Sequence, residues 1–277
     1  LQDALSLVAA RGRMMQDLEP GSMLAVPLPE EELVPILPQE LSIAVINAPR
    51  MTVISGQTTL IEAFKEQLLA EKGLECRLLH TSHAFHSSMM EPIVDQFTQL
   101  VASIHRSKPE IPFVSNVSVT WTTDEEAISA EYWARHLRRA VRFYSCMSTL
   151  MDENRRVFLE VGPSQVLTML AKQHQKSNNH VVFACTRRPV ERKKDLSVLL
   201  TTLGQLWTAG LEVDWKVLYQ DESRRKKPLP GYRFERKRYW IKAPAAIEIN
   251  EQKSKPLPLR PTGSSQLLAK TKSYIVT

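Results

Sequence analysis

Three histidines fall within seven residues, His80, His83 and His86, in the stretch HTSHAFHSSMM that runs from residue 80 to residue 90. An imidazole titrates near neutrality, so such a cluster can ligate a metal or move a proton. A zinc site needs two or three ligands converging from one face, commonly with a further Cys, His or carboxylate elsewhere. His83 and His86 are spaced to converge on a helix, but the run before His80 reads as a strand and Pro92 follows closely, so both fall in a turn. No HExxH and no second cluster accompanies them. Acid/base chemistry asks instead for a histidine at a strand end or helix entrance, held through one ring nitrogen so that the other can take a proton from a nucleophile. Ser82-His83, just past the run ECRLLH (75–80), has that placement. A purely structural turn histidine is the remaining reading of the residues themselves.

The elements that must hold these side chains follow from periodicity. Leu1, Ala4, Leu5, Val8 and Met15 share one face at the 3.6-residue period, so the sequence opens inside a helix, as a piece of a longer chain would. After Gly21 come SMLAVP, a helical EELVPIL, SIAVIN, a turn at Ala48-Pro49-Arg50, MTVISG, the amphipathic TTLIEAFKEQLLAEKG and ECRLLH. That order is βαββαβ, the ferredoxin-like order, and it makes residues 21–80 a small subdomain inserted after the first helix. Gly73 is placed to end its second helix in the left-handed conformation.

From Ser88, Met89, Ile93, Phe97, Leu100, Val101 and Ile104 recur at helical spacing, with Pro92 tolerated in the first turn. A strand is expected at IPFVSNVSV (111–119), helices around Tyr132-Trp133 and over Phe143–Met151, a strand at RVFLEVG turning at Gly162-Pro163 into a helix, a strand at VVFACT, and a last helix ending at Gly210. Strands separated by helices predict an α/β layer architecture over 1–20 and 81–212. Residues 213–241 read as a linker, and 242–277 as a disordered tail or interdomain linker without periodicity.

Composition removes several function classes. The 277 residues are 43% hydrophobic and 24% charged, which is globular, and no apolar run approaches the roughly 18 residues of a membrane span. No basic leader followed by an apolar core appears, so a cytoplasmic location without membrane partners is expected. Cys76, Cys146 and Cys185 are far apart, without CxxC spacing, and read as buried thiols. The net charge of +6 is concentrated in 242–277, where six basic and two acidic residues lie. The basic run Arg224–Arg238 is punctuated by Pro and Gly and reads as a solvated connector, not a nucleic-acid surface.

Taken with its flanks, His83-Ala84-Phe85-His86 resembles the HAFH signature of acyltransferase domains from modular type I polyketide synthases. The stretches LVAARGRMMQ (7–16), GSMLAV (21–26), INAPRMTVISG (46–56), YWARHLRRAVRF (132–143), VFLEVGPSQVL (157–167) and LPGYRFERKRYW (229–240) agree in the same order. The resemblance covers residues 1–241, the last of these stretches matching the linker that follows such domains. It implies a partial α/β-hydrolase-like large domain carrying an inserted ferredoxin-like small domain. It also implies transfer of a malonyl group from malonyl-CoA to the phosphopantetheine thiol of an acyl carrier protein through a serine acyl-enzyme, with no bound cofactor and no metal. A ketosynthase is the neighbour expected upstream.

Carried over by position, His83 is the expected general base, oriented through the main chain of His136. Arg11 is expected to grip the malonyl carboxylate with two parallel charge-assisted hydrogen bonds. Phe85 stands where malonyl-selective members place bulk beside the substrate α-carbon, and Asn47 matches a position near the cleft. His86 and Ser87 are expected to finish the turn. The family's serine sits on a G-H-S-x-G elbow roughly two dozen residues before the position of Arg11. No G-x-S-x-G occurs in this sequence, so the fragment is expected to be inactive in isolation. A non-catalytic domain that docks a carrier protein is the alternative.

Overall fold

The computed structural model describes residues 1–152, 155–223, 225, 227–235, 237 and 275–276. The chain divides into two units, one of Leu1–Val213 with Lys272–Thr277 and one of Asp214–Thr271. In the second, the only regular element among the described residues is a 3-10 turn at Val217–Tyr219. The tail expected to be disordered lies outside the described residues except for Ile275–Val276, which form a short strand.

Helix α1 (Gln2–Gln16) opens the first unit. Strands β1 (Ser22–Val26), β2 (Ser42–Ala48), β3 (Met51–Gly56) and β4 (Arg77–Leu78) follow, with α2 (Glu30–Leu33) between the first two and α3 (Thr58–Lys72) between the last two. They form one sheet in the order β2-β3-β1-β4, each neighbouring pair antiparallel. Each helix therefore crosses over a strand that belongs to the other half, the split form of the βαββαβ order. Pro35 stops α2 after one turn, and the chain continues as a 3-10 turn, Val34–Ile36. Gly73 ends α3 in the left-handed region (φ 63°), with its amide on the Leu69 carbonyl, the 5→1 bond of an αL ending, and the Leu74 amide on the Leu68 carbonyl.

Side chains alternate across this sheet as the two-residue period requires. Leu24, Val26 and Ile54 face α2 and α3, where Leu33, Ile61, Phe64 and Leu68 complete a core. Burying each of these large apolar side chains stabilises the fold by about 1.5–3 kcal/mol. Met23 and Val53 point to the opposite face, joined by Ala44 and covered by Phe85. That second face supports the histidine loop.

Beyond the loop, a 3-10 turn at Ser88–Ile93 leads into α4 (Val94–Ala102). Then come β5 (Phe113–Val114), α5 (Asp124–Ile128), α6 (Ala130–Arg138), α7 (Phe143–Met151), β6 (Val157–Glu160), α8 (Val166–Gln173), β7 (Val181–Ala184) and α9 (Asp195–Thr208). β6 and β7 are parallel, from Val157 opposite Val181 to Glu160 opposite Ala184. β5 pairs in parallel with β8 (Ile275–Val276). Met15, Met90, Ile93, Phe97, Val101, Ala134 and Leu137 bind α1, α4 and α6 into a core that flanks the loop.

Two expectations change. The strand predicted over 111–119 is two residues long, because the Ser115 hydroxyl accepts the amides of Val117 and Ser118 and folds the chain into a turn that leaves Val119 at φ 60°. The apolar stripe of α1 is buried only at Met15, while Leu5 and Val8 are 59% and 66% exposed.

Candidate active site

The loop between β4 and the 3-10 turn is fixed at nearly every residue. The Leu79 amide reaches the Met23 carbonyl, and the Gly21 amide reaches that of Ser82. Gly21 is required here: a Cβ on it would sit 2.7 Å from that of fully buried Ala84 and 2.9 Å from the Gly56 carbonyl. The Phe85 carbonyl accepts from the Ser55 hydroxyl at 2.9 Å, on the same sheet face as Val53. The Ser87 hydroxyl donates to the Ala84 carbonyl at 2.6 Å and accepts the Met89 amide at 3.2 Å, which caps the turn that follows.

His86 sits within this frame at φ 56°, a left-handed backbone that costs a non-glycine residue energy and persists only where its surroundings over-determine it. Its Nδ1 lies 2.9 Å from the Arg139 carbonyl. A carbonyl can only accept, so Nδ1 carries the proton and Nε2 keeps a lone pair. Nε2 has no hydrogen-bond partner among the described residues. Burial pushes the His86 imidazolium down to a pKa of about 4 against the Arg139 bond, which favours it, and the charges of His136 and Arg11 push the same way as burial. Near neutral pH this ring is therefore uncharged, oriented and able to accept a proton.

His83 is placed differently. It is 3% exposed, with Nδ1 2.8 Å from the Ser82 hydroxyl and Nε2 3.2 Å from the Leu18 carbonyl, so both nitrogens are spent inside the protein. The geometry differs from two of the expectations. The histidine in the arrangement of a general base is the second of HAFH, expected only to finish the turn, and the first is a buried tie to the end of α1. The orienting carbonyl is that of Arg139, three residues past His136. Arg139 lies just past the end of α6 with an extended backbone, at φ −82° and ψ 160°, and it is its carbonyl that lies 2.9 Å from His86 Nδ1.

Arg11 and His136 are brought to the same place through their side chains. Both act electrostatically on His86. The Nε of Arg11 is buried without a hydrogen-bond partner, the side chain makes no ion pair among the described residues, and burial lowers its pKa. A partly buried guanidinium with an unpaired nitrogen suits an anion such as a carboxylate or phosphate. The His136 ring packs against Tyr132 and Trp133, with centroids 6.4 and 5.9 Å away. Phe85 is half-buried between the sheet face and the α1–α4 core, its ring centroid 6.2 Å from that of His83. Asn47 lies on β2 between two irregular pairings, Ile46 with Thr52 and Ala48 with Met51, and no side-chain hydrogen bond joins it to the cleft among the described residues.

One sequence signal does point to His86. Ser87 is a capping residue, so His86 immediately precedes a helix entrance, the position asked of a catalytic histidine. Among the described residues no group of three His, Cys, Asp or Glu side chains is arranged to hold a metal, and no helix is long and apolar enough to cross a membrane.

Comparison with known proteins decides the family. Residues 1–213 match the acyl transferase domain family. The chain belongs to it. It is 37% identical over 242 residues to the phenolphthiocerol synthesis polyketide synthase type I Pks15/1 of Mycobacterium marinum, a match covering 87% of this chain and 11% of that protein. The crystal structure of the acyl transferase domain of SpnD, solved with 2-(pent-4-yn-1-yl)malonyl, superposes with a TM-score of 0.71 at 32% identity over 75% of this chain and 50% of that one. The malonyl CoA-acyl carrier protein transacylase of Clostridium perfringens aligns with a TM-score of 0.64 at 25% identity over 75% of this chain and 66% of that one. The acyltransferase fold and its polyketide synthase relatives are thereby established, and this chain spans about half of the solved SpnD domain.

Proposed function

We propose that this chain supplies the general base and the carboxylate clamp of an acyltransferase that moves a malonyl group from malonyl-CoA to the phosphopantetheine thiol of an acyl carrier protein. The observation that carries the reading is the neutral imidazole of His86, anchored by the Arg139 carbonyl beside the unpaired guanidinium of Arg11. An anchored base needs a hydroxyl or thiol to deprotonate, and a partly buried cation without an ion pair among the described residues favours an anion. A malonyl thioester brings the anion at one end and the reacting carbonyl at the other. The SpnD domain was solved with a substituted malonyl group, and the Clostridium protein is named for malonyl-CoA.

In this mechanism His86 Nε2 takes the proton of a serine hydroxyl as its oxygen attacks the thioester carbonyl. The imidazolium returns that proton to the departing CoA sulfur. In the second half Nε2 takes the proton of the pantetheine thiol, which attacks the acyl-serine, and the serine oxygen recovers it. Arg11 holds the free carboxylate through both halves, and Phe85 limits the space beside the α-carbon. The serine lies outside this sequence, which contains no G-x-S-x-G, so acyl transfer requires that further segment.

Loading of radiolabelled malonyl-CoA onto a protein that includes the serine tests the assignment. His86→Asn is expected to lower loading about 10²–10⁴-fold, the range for a positioned acid/base group. Arg11→Ala is expected to remove the preference for malonyl-CoA over acetyl-CoA. Unchanged loading in His86→Asn, with loss in a folded His83→Ala protein, would return the base to His83.

A further inference from the structure

We infer that Arg142 is a positioning residue: its paired hydrogen bonds to Glu30, together with the backbone pairing of Val141 on β2, hold the Arg139 carbonyl against His86 and so set which ring nitrogen of that histidine bears the proton. The inference rests on His86 being the base and extends it to residues remote from the substrate.

The Arg139 carbonyl belongs to a short extended segment between the end of α6 at Arg138 and the start of α7 at Phe143. A segment of this kind has no internal hydrogen bonds and takes its position from what it is tied to. Val141 is tied on both sides, its amide donating to the Ala44 carbonyl at 2.9 Å and its carbonyl accepting the Ile46 amide at 2.8 Å. This makes a parallel bridge between Val45 and Val141 on the outer edge of the four-stranded sheet. One bridge fixes a point but leaves the segment free to rotate about it. The rotation is stopped next door, where the Arg142 guanidinium donates from both terminal nitrogens to the two carboxylate oxygens of Glu30, each at 3.0 Å. A two-pronged pair fixes direction as well as distance, which a single ammonium contact does not. Glu30 is the first residue of α2, where a carboxylate is favoured by the helix end. Bridge and fork together give the carbonyl a fixed address on the small sheet. The His86 backbone is tied to the same sheet, through the Ser55 hydroxyl on the Phe85 carbonyl and the Ser42 hydroxyl on the Ser88 amide. Both partners of the 2.9 Å contact between His86 Nδ1 and Arg139 are thus referenced to one rigid body.

The tautomer of a neutral imidazole follows the hydrogen bond made by one nitrogen. With the carbonyl in place Nδ1 is protonated and Nε2 is the base. Without it, an imidazole in water favours the proton on Nε2, the wrong form for taking one.

Ring nitrogen shifts of His86 in the 15N-labelled 277-residue chain near pH 7 read the tautomer directly, with the signals assigned by their loss in His86→Asn. Wild type is expected to show a protonated Nδ1 and an unprotonated Nε2. Arg142→Lys, which keeps the charge and loses the fork, is expected to shift the population to protonated Nε2, and Glu30→Gln should do the same from the other side. If Arg142→Lys does not fold, Glu30→Gln carries the test alone. A folded variant lacking the fork, with the wild-type tautomer retained, overturns the positioning role and leaves His86 as the base. A protonated Nε2 already in wild type overturns the assignment of His86 itself.

Discussion

Replacing His86 by Asn should change how the stability of this chain depends on pH, by an amount that follows from the geometry. Asn tolerates the left-handed backbone at this position, so the substitution removes the titrating ring with little added strain. The His86 pKa is about 4 in the folded protein against an ordinary 6.5, with burial as the main cause. In the unfolded chain the ring takes its proton as pH falls through the ordinary value, whereas in the folded chain it does so only near the lower one. The unfolded state therefore binds more protons throughout that window, and stability rises with pH across it. The contribution is absent above neutrality, grows as pH falls, and levels off below the folded pKa. From the two pKa values the penalty amounts to about 2 kcal/mol at pH 5 and about 3 kcal/mol once complete. Other groups titrate in the same range, His174 among them, whose pKa burial also lowers. Their effects cancel in the difference between wild type and variant. Urea unfolding at pH 7 and pH 5 gives that difference, provided the slope with denaturant is unchanged. His86→Asn should lose about 2 kcal/mol less than wild type over this interval. Parallel pH profiles in the two proteins would show that the ring is not held neutral, and the argument for a pre-set base would fail.

With Arg11 as the proposed carboxylate clamp, Arg11→Met should stabilise the chain while removing the dicarboxylate binding proposed for it. The buried unpaired Nε costs about 1–3 kcal/mol, which a thioether of similar length does not incur, so thermal unfolding should rise by several degrees and malonate should no longer raise it further. Tyr132→Phe should destabilise by about 1–2 kcal/mol, because its hydroxyl, fully buried, donates to Ser115 Oγ at 2.8 Å and that oxygen also ends the strand at 113–114; chemical denaturation reads the loss. Phe85→Ala, in a protein that includes the serine, should raise the relative loading of methylmalonyl-CoA over malonyl-CoA about tenfold, within the 1–3 kcal/mol that one methyl group is worth, measured by competition between the two thioesters.

The sheet was legible in the sequence because its residues alternate in register with their neighbours. Leu24 and Ile54 on one face, Met23 and Val53 on the other, encode two sides in a period of two, and Gly73 marks the one position where a helix must end left-handed. The same logic fails in the histidine loop, where no period exists. His83 and His86 are three residues apart and chemically identical, and within HTSHAFHSSMM only the capping Ser87 sets one apart from the other. The distinction is made by two carbonyls remote in sequence, Leu18 before the loop and Arg139 after it. Each reaches its ring only because the small sheet holds the loop between α1 and the segment leaving α6. Arg11 was singled out by its flanking match to the family, and the fold adds that its Nε is buried without a partner. What a local pattern specifies is therefore the inventory of the site, two imidazoles and a guanidinium. What assigns their roles is which backbone acceptors the tertiary structure delivers.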